Sequence, residues 1–171
     1  WVNSPCNPTG EVLSAERMAG IVRAARAIGA VVLSDECYAL MQWEDDVAEA
    51  DADTLASTPC ALRADVRGGS AEGVLVLYSL SKQSNMAGYR TALIAGDRSL
   101  IGPMAAYRKQ IGQIIPGPVQ AAMAAGLRDF DAVKTQHSRY QERLGMRVSA
   151  LRAYGYCTDM RQGALYVWVK A

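Results

Sequence analysis

Lys82 stands just beyond an apolar run, Val74-Leu75-Val76-Leu77-Tyr78, with Ser79 and Ser81 beside it and Arg90 eight positions further on. An amine that must form a Schiff base with a cofactor aldehyde needs a rigid mount and a nearby seat for the cofactor's phosphate. Hydroxyls and a guanidinium are groups that hold a phosphate well. A lysine at a strand end is otherwise a solvated cap, so the assignment needs support from elsewhere in the chain.

Two further stretches supply it. Asn3-Ser4-Pro5-Cys6-Asn7-Pro8-Thr9-Gly10 opens the chain, and Ser34-Asp35-Glu36-Cys37-Tyr38 closes a second apolar run, Ala30-Val31-Val32-Leu33. In this order the three stretches resemble the pyridoxal-phosphate-dependent aminotransferases of fold type I, class I/II. The resemblance covers nearly the whole chain. The wording Ser34-Asp35-Glu36-Cys37-Tyr38 and Ser79-Leu80-Ser81-Lys82-Gln83-Ser84-Asn85-Met86-Ala87-Gly88-Tyr89-Arg90 is most similar to the N-succinyldiaminopimelate aminotransferases.

The resemblance implies a role for each motif residue. Lys82 carries pyridoxal 5'-phosphate and later moves a proton between the substrate α-carbon and the cofactor, which needs an amine with a lowered pKa. Asp35 keeps the pyridine nitrogen protonated. Tyr38 and Asn7 hydrogen-bond the cofactor's 3' oxygen. Ser79, Ser81 and Arg90 hold the phosphate, with Arg90 able to make paired bonds. Gly88 serves the backbone, and Glu36 is a structural neighbour of Asp35. The segment 110–117 approaches a neighbouring subunit's site. The implied protein is a cytoplasmic homodimer that moves an amino group between an amino acid and a 2-oxoacid. Its implied substrates are N-succinyl-LL-2,6-diaminopimelate and 2-oxoglutarate, in lysine biosynthesis. Another class I/II transaminase, or a carbon–sulfur β-lyase on the same fold, is the alternative. A regulator with an aminotransferase-like domain and a cofactor-free α/β binding domain are the readings from other classes.

Composition narrows the field. Half of the 171 residues are hydrophobic, a fifth are charged, and the net charge is +1. That describes an ordinary globular chain and gives no footprint for nucleic acid or an anionic membrane. No apolar run approaches the roughly 20 residues of a membrane span. Cys6, Cys37, Cys60 and Cys157 have neither zinc-site nor redox-pair spacing and are expected as unpaired thiols. Cys6 and Cys37, inside motifs, are candidates for oxidation. The acidic runs Glu44-Asp45-Asp46 and Asp51-Ala52-Asp53 read as a solvated face, and no metal site is expected.

The elements that must position these residues follow from the pattern. Ser14 caps a helix whose apolar face is Met18, Ile21, Val22, Ala25 and Ile28, and Gly29 stops it. With strands before it and at 30–34, this is a βαβ unit of a parallel sheet. A short helix is expected near 54–63, and the lysine strand at 73–79. The strand at 91–96 follows too soon for a helical crossover, so it pairs antiparallel. Helices are expected at 98–112, 118–128 and 130–154, the last lined by Val133, His137, Tyr140, Leu144, Val148 and Leu151. His137 reads as a satisfied core or interface histidine, and Trp43 and Trp168 as packing residues. Short strands are expected at 156–159 and 164–169. The fold class is α/β: residues 1–130 as part of a fold type I large domain, mostly parallel sheet with helices on both faces, and 131–171 as the linking helix and start of a small C-terminal domain. Starting at Trp1 and ending on a strand-like run, the chain reads as an internal piece of a longer protein, inactive alone because the glycine-rich phosphate loop and the substrate-carboxylate arginine fall outside it.

Overall fold

A computed structural model describes residues 1–43 and 59–169. Four strands, β1 (Val2–Asn3), β2 (Val32–Asp35), β3 (Val74–Ser79) and β4 (Ala92–Gly96), form one sheet in chain order. The first three are parallel, and β4 runs antiparallel to β3 with Ser79 opposite Ala92 and Leu75 opposite Gly96. The reversal follows from the short link across 80–91, which holds only one helical turn, Leu80–Gln83, and a 3-10 turn at Ala87–Tyr89. Gly96 ends β4 at φ +138°, and a Cβ there would lie 2.0 Å from Val74 O, so only glycine lets the strand close against β3.

Helix α1 (Ala15–Ala27) joins β1 to β2. Ser14 Oγ accepts from Arg17 N at 3.2 Å, Glu16 sits in the first turn and Arg26 in the last, so both ends suit the helix dipole. Its buried face, Met18, Ala19 and Val22, packs on Val32, Val74 and Val76 of the sheet and on Ala61 and Val66. Burying a side chain of this size is worth about 1.5–3 kcal/mol. Arg26 reaches past the helix end and donates to three loop carbonyls, Arg67 O and Ser70 O at 2.7 Å and Glu72 O at 3.0 Å.

The helix expected at 54–63 falls mostly outside the described residues, as do both acidic runs. Its described end, 59–63, is a turn, and one helical turn follows, α2 (Ala64–Arg67). A tertiary bond accounts for this: Ala61 N donates to the buried Glu36 carboxylate at 2.8 Å, which ties the segment to the end of β2.

Beyond α3 (Leu80–Gln83) and β4 come α4 (Arg98–Gln110), α5 (Gly117–Gly126) and α6 (Phe130–Ala153). Asp97 caps α4 through Ser99 N at 2.8 Å, and Asp129 caps α6 through Ala132 N at 3.0 Å. Gly126 of α5 lies against the buried Leu80, whose Cδ2 would be 2.8 Å from an added Cβ. Helix α6 buries Val133, Gln136, His137, Leu144 and Val148. Leu144 belongs to a second core with Tyr38, Met41, Trp43 and Ala164. His137 Nε2 lies 2.5 Å from Gln42 O, and its ring stacks at 4.8 Å on Trp43, while its buried Nδ1 has no partner among the described residues. Trp43 is buried as expected; Trp168 is about half exposed.

The C-terminal strands do not form among the described residues. Past α6 the backbone bonds of 162–164 go to loops: Trp43 N donates to Gln162 O at 3.0 Å, Gly163 N to Gly10 O at 2.9 Å and Ala164 N to Met41 O at 2.8 Å. A single bridge, Gln42 with Gly163, replaces the strands. β-propensity marks a segment suited to a sheet, but a ladder also needs a neighbouring edge. No helix among the described residues is long and apolar enough to cross a membrane.

Candidate functional site

Parallel pairing puts the carboxyl ends of β1, β2 and β3 on one edge of the sheet, the place where open α/β sheets hold ligands. Register makes this concrete: Asn3 lies opposite Asp35, and Asp35 opposite Leu77, so the motif that follows each strand emerges on the same side.

The first loop is built around Asn3. Its amide donates to Asp35 O at 3.1 Å, and its Oδ1 accepts from Asn7 N at 2.7 Å. One side chain thus fixes the Asn7 turn to the end of β2. The peptides preceding Pro5 and Pro8 are both cis. Asn7 Nδ2 donates to Tyr166 Oη at 3.2 Å.

After β2, Asp35 is half-buried, and its Oδ1 accepts from Cys37 N at 3.2 Å. Glu36 turns the other way: it is buried, accepts from Ser34 Oγ and Ala61 N at 2.8 Å each, and braces the strand end. Burial, then the contact with Asp35, pushes the Cys37 thiol up to about 12, with Lys82 opposing the rise. Such a thiol is held largely protonated at neutral pH, and the thiolate is the form that oxidation needs. Cys60 is likewise raised to about 12, by burial and by Glu36. All four cysteines are free.

Tyr38 is buried, its hydroxyl 3.0 Å from that of Tyr166 and the two rings edge to face at 6.1 Å. Burial first, and Tyr166 next, keep the Tyr38 hydroxyl protonated well above the ordinary tyrosine range. Lys82 Nζ stands 5.9 Å from the Tyr38 ring centroid. It has no ion pair or hydrogen bond among the described residues, and two buried supports hold its mount, Leu80 and Gln83, the latter accepting from Tyr78 Oη.

Ser79 Oγ lies 2.8 Å from Ser81 Oγ, accepts from Ser81 N at 3.2 Å and reaches Thr91 O at 3.3 Å. The two hydroxyls are therefore a pair. Arg90 is not bonded to them among the described residues. It adopts φ +52°, donates to Ala87 O at 3.1 Å and is exposed beside a cleft of about 860 Å³ between β4, α4 and α5. The structure thus joins Asn7, Tyr38, Asp35 and Lys82 in one contact network, pairs the two serines, and leaves Arg90 one residue from Thr91, whose carbonyl Ser79 bonds. No group of metal-ligating side chains exists among the described residues. Sequence reasoning missed Tyr166, which touches both Asn7 and Tyr38. Its apolar surroundings, Leu165-Tyr166-Val167-Trp168, read only as a strand.

The donor set fits pyridoxal phosphate: a carboxylate for a ring nitrogen, two donors for a ring oxygen, paired hydroxyls for a phosphate, and an unpaired amine for an aldehyde. Comparison with known proteins agrees. A relative named 4-dedimethylamino-4-oxo-anhydrotetracycline transaminase OxyQ, from Streptomyces rimosus, is 41% identical over 98% of this chain and 44% of its own length. A probable aminotransferase of Mycobacterium tuberculosis is 38% identical over 98% of this chain and 38% of its own. The solved N-succinyldiaminopimelate aminotransferase of Mycobacterium tuberculosis superposes with a TM-score of 0.74 at 27% identity, over 95% of this chain and 39% of that one. The chain therefore spans about two-fifths of the relatives it matches. The family model described as aminotransferase class I and II matches residues 1–171, and the chain belongs to that pyridoxal-phosphate-dependent family.

Proposed function

We propose that this chain carries the amine-bearing part of the active site of an aminotransferase, with Lys82 as the catalytic residue. The observation that carries the reading is an unpaired lysine amine over Tyr38, on the same sheet edge as Asp35 and Asn7. Pyridoxal phosphate, when bound, supplies an electron sink for charge at the substrate α-carbon. Lys82 Nζ binds the cofactor and then holds and returns the α-proton. Asp35 keeps a proton on the ring nitrogen, which Asn3 and Cys37 help by fixing that carboxylate's backbone and one of its oxygens. Asn7 and Tyr38 donate to the 3' oxygen, and Ser79, Ser81 and Arg90 bind the phosphate. Arg90, which donates to Ala87 O in this structure, would have to release that carbonyl to hold a phosphate.

Residues 1–130 are assigned to the large domain and 131–171 to the linking helix and the start of the small one. The complete protein is a cytoplasmic homodimer, and the 171 residues alone turn over no substrate. The amino donor is N-succinyl-LL-2,6-diaminopimelate and the acceptor 2-oxoglutarate, a reading supported by the solved neighbour of that name. A second class I/II transaminase specificity has its own support, since the relative at 41% identity is named for a tetracycline intermediate. Borohydride reduction of the complete protein with pyridoxal phosphate, followed by peptide mass spectrometry, places the cofactor tag on Lys82. A tag on another residue, or none, refutes the assignment. Amino-group transfer assayed with the succinylated donor then decides the substrate, and release of pyruvate and a thiol from an S-alkyl cysteine would mark a β-lyase instead.

A further inference from the structure

Tyr166 stands between two side chains that the proposed function assigns to one cofactor atom. Its hydroxyl accepts from Asn7 Nδ2 at 3.2 Å and lies 3.0 Å from Tyr38 Oη. The proton count permits one direction that leaves a free hydrogen on both Asn7 and Tyr38. An amide nitrogen has two hydrogens and a phenol one. Asn7 spends one hydrogen on Tyr166 and keeps the other. Once Tyr166 accepts from Asn7, its own proton is available for Tyr38 Oη. With Tyr166 as the donor in that pair, Tyr38 accepts and its proton is left to point elsewhere.

The placement is held by neighbouring residues that bond the backbone of the first loop, and not by the tyrosine alone. Arg161 Nε donates to Thr9 O at 2.7 Å, Gly163 N to Gly10 O at 2.9 Å, and Gln162 Oε1 accepts from Val12 N at 3.1 Å. An added Cβ at Gly163 would lie 2.8 Å from Pro5 Cβ, so the segment after α6 runs in direct contact with the Asn7 turn.

We propose that Tyr166 is a positioning residue of the cofactor site, sending its proton to Tyr38 so that Tyr38 and Asn7 both present a donor to the cofactor's 3' oxygen. The inference rests on the proposed function. Chained hydrogen bonds polarise one another, so Tyr38 becomes a stronger donor when its oxygen accepts from Tyr166. Donors at the 3' oxygen favour the deprotonated form of the bound cofactor, because that form carries the less compensated negative charge. The contact also ties the C-terminal segment to the cofactor's proton equilibrium.

The test is a pH titration of the bound cofactor's absorbance in the complete protein. Tyr166→Phe keeps the ring and removes the proton. The midpoint is expected to rise by about half a pH unit, the scale of part of one hydrogen bond. Tyr38→Phe moves it in the same direction, and adding Tyr166→Phe to Tyr38→Phe produces a smaller further shift than in the parent. An unmoved midpoint in a holoenzyme of Tyr166→Phe, or fully additive shifts, overturns the relay. If circular dichroism shows that the Phe variant is unfolded, Tyr166→His, which keeps a ring donor, takes its place. A midpoint near the parent's then supports the relay, and one shifted as far as in Tyr38→Phe overturns it. A parent protein that takes up no pyridoxal phosphate overturns the functional reading itself and the relay with it.

Discussion

Replacing Glu36 by alanine should be among the most damaging single changes near the site, although Glu36 touches no reacting atom. Its carboxylate is 2% exposed and accepts from Ser34 Oγ and Ala61 N, both at 2.8 Å, while Ser34 and Ala61 are themselves 1% and 2% exposed. Truncation to alanine strands both donors in a dry environment. Each stranded donor costs about 1–3 kcal/mol, so the pair costs about 2–6 kcal/mol. Glutamine keeps an oxygen that can serve both donors, and its amide can turn toward the Cys60 sulfur, so Glu36→Gln is expected to cost about 1 kcal/mol or less. Urea denaturation of the complete protein measures both, read as a shift of midpoint at constant slope. Native-state hydrogen exchange adds a local readout, since the Ala61 amide should lose protection in Glu36→Ala and keep it in Glu36→Gln. The reasoning is refuted if the alanine variant lies within about 0.5 kcal/mol of the parent, or if glutamine is as damaging as alanine, because either result means that the two 2.8 Å bonds do not hold the end of β2.

Two further outcomes follow from titratable groups. Bonds from Gly73 N, then from Ser99, hold the Asp97 carboxyl below the usual carboxylate range. A depressed folded-state pKa contributes stability above the ordinary value near about 4 and loses it as pH falls through the folded value. Asp97→Asn should therefore flatten the decline of the urea midpoint in that acid range, and parallel parent and variant curves would contradict the capping account. Cys37, with its thiol near 12, has a thiolate fraction of roughly one in ten thousand at pH 8. Iodoacetamide should label the exposed Cys157 well before Cys37, as read by peptide mass spectrometry; equal rates would show that the Cys37 environment is misjudged.

Much of the fold was legible because its signals are local. The periodic face of α1 and its Ser14 cap, the stripe on α6 and the apolar run of β3 each announce themselves within a few turns of chain. The antiparallel sense of β4 was legible by subtraction, since 80–91 is too short for a crossover. Two described segments take their form from distant partners. Residues 59–63 carry no unusual propensity; they turn because Ala61 N meets a carboxylate 25 positions back in the chain. Residues 156–159 and 164–169 have strand composition, but the segment between them, 162–164, bonds to loop groups at Gly10, Met41 and Trp43 rather than to a strand edge.

The site divides along the same line. Asp35 and Lys82 were readable because Asp35 ends β2 and Lys82 lies in the turn of helix after β3, and parallel register carries those strand ends to a common edge whatever the loops do. Asn7 and Tyr38 were readable only through motif resemblance, since no spacing rule brings positions 7 and 38 together; Asn3 ties the Asn7 turn to Asp35 O at the end of β2, and Tyr166 bonds both Asn7 and Tyr38. Tyr166 had no signal of either kind. It reaches the site because Gly163 lacks a side chain where Pro5 and Met41 O press closest, and a glycine in a loop announces nothing about what it approaches. The cost of that closeness is specificity for glycine at 163, and its consequence is that the geometry at Asn7 is set jointly by the first ten residues and by a segment more than 150 positions later. A site assembled this way cannot be fully specified by its motifs: the motifs say which chemistry is available, and the long-range contacts decide which proton points where.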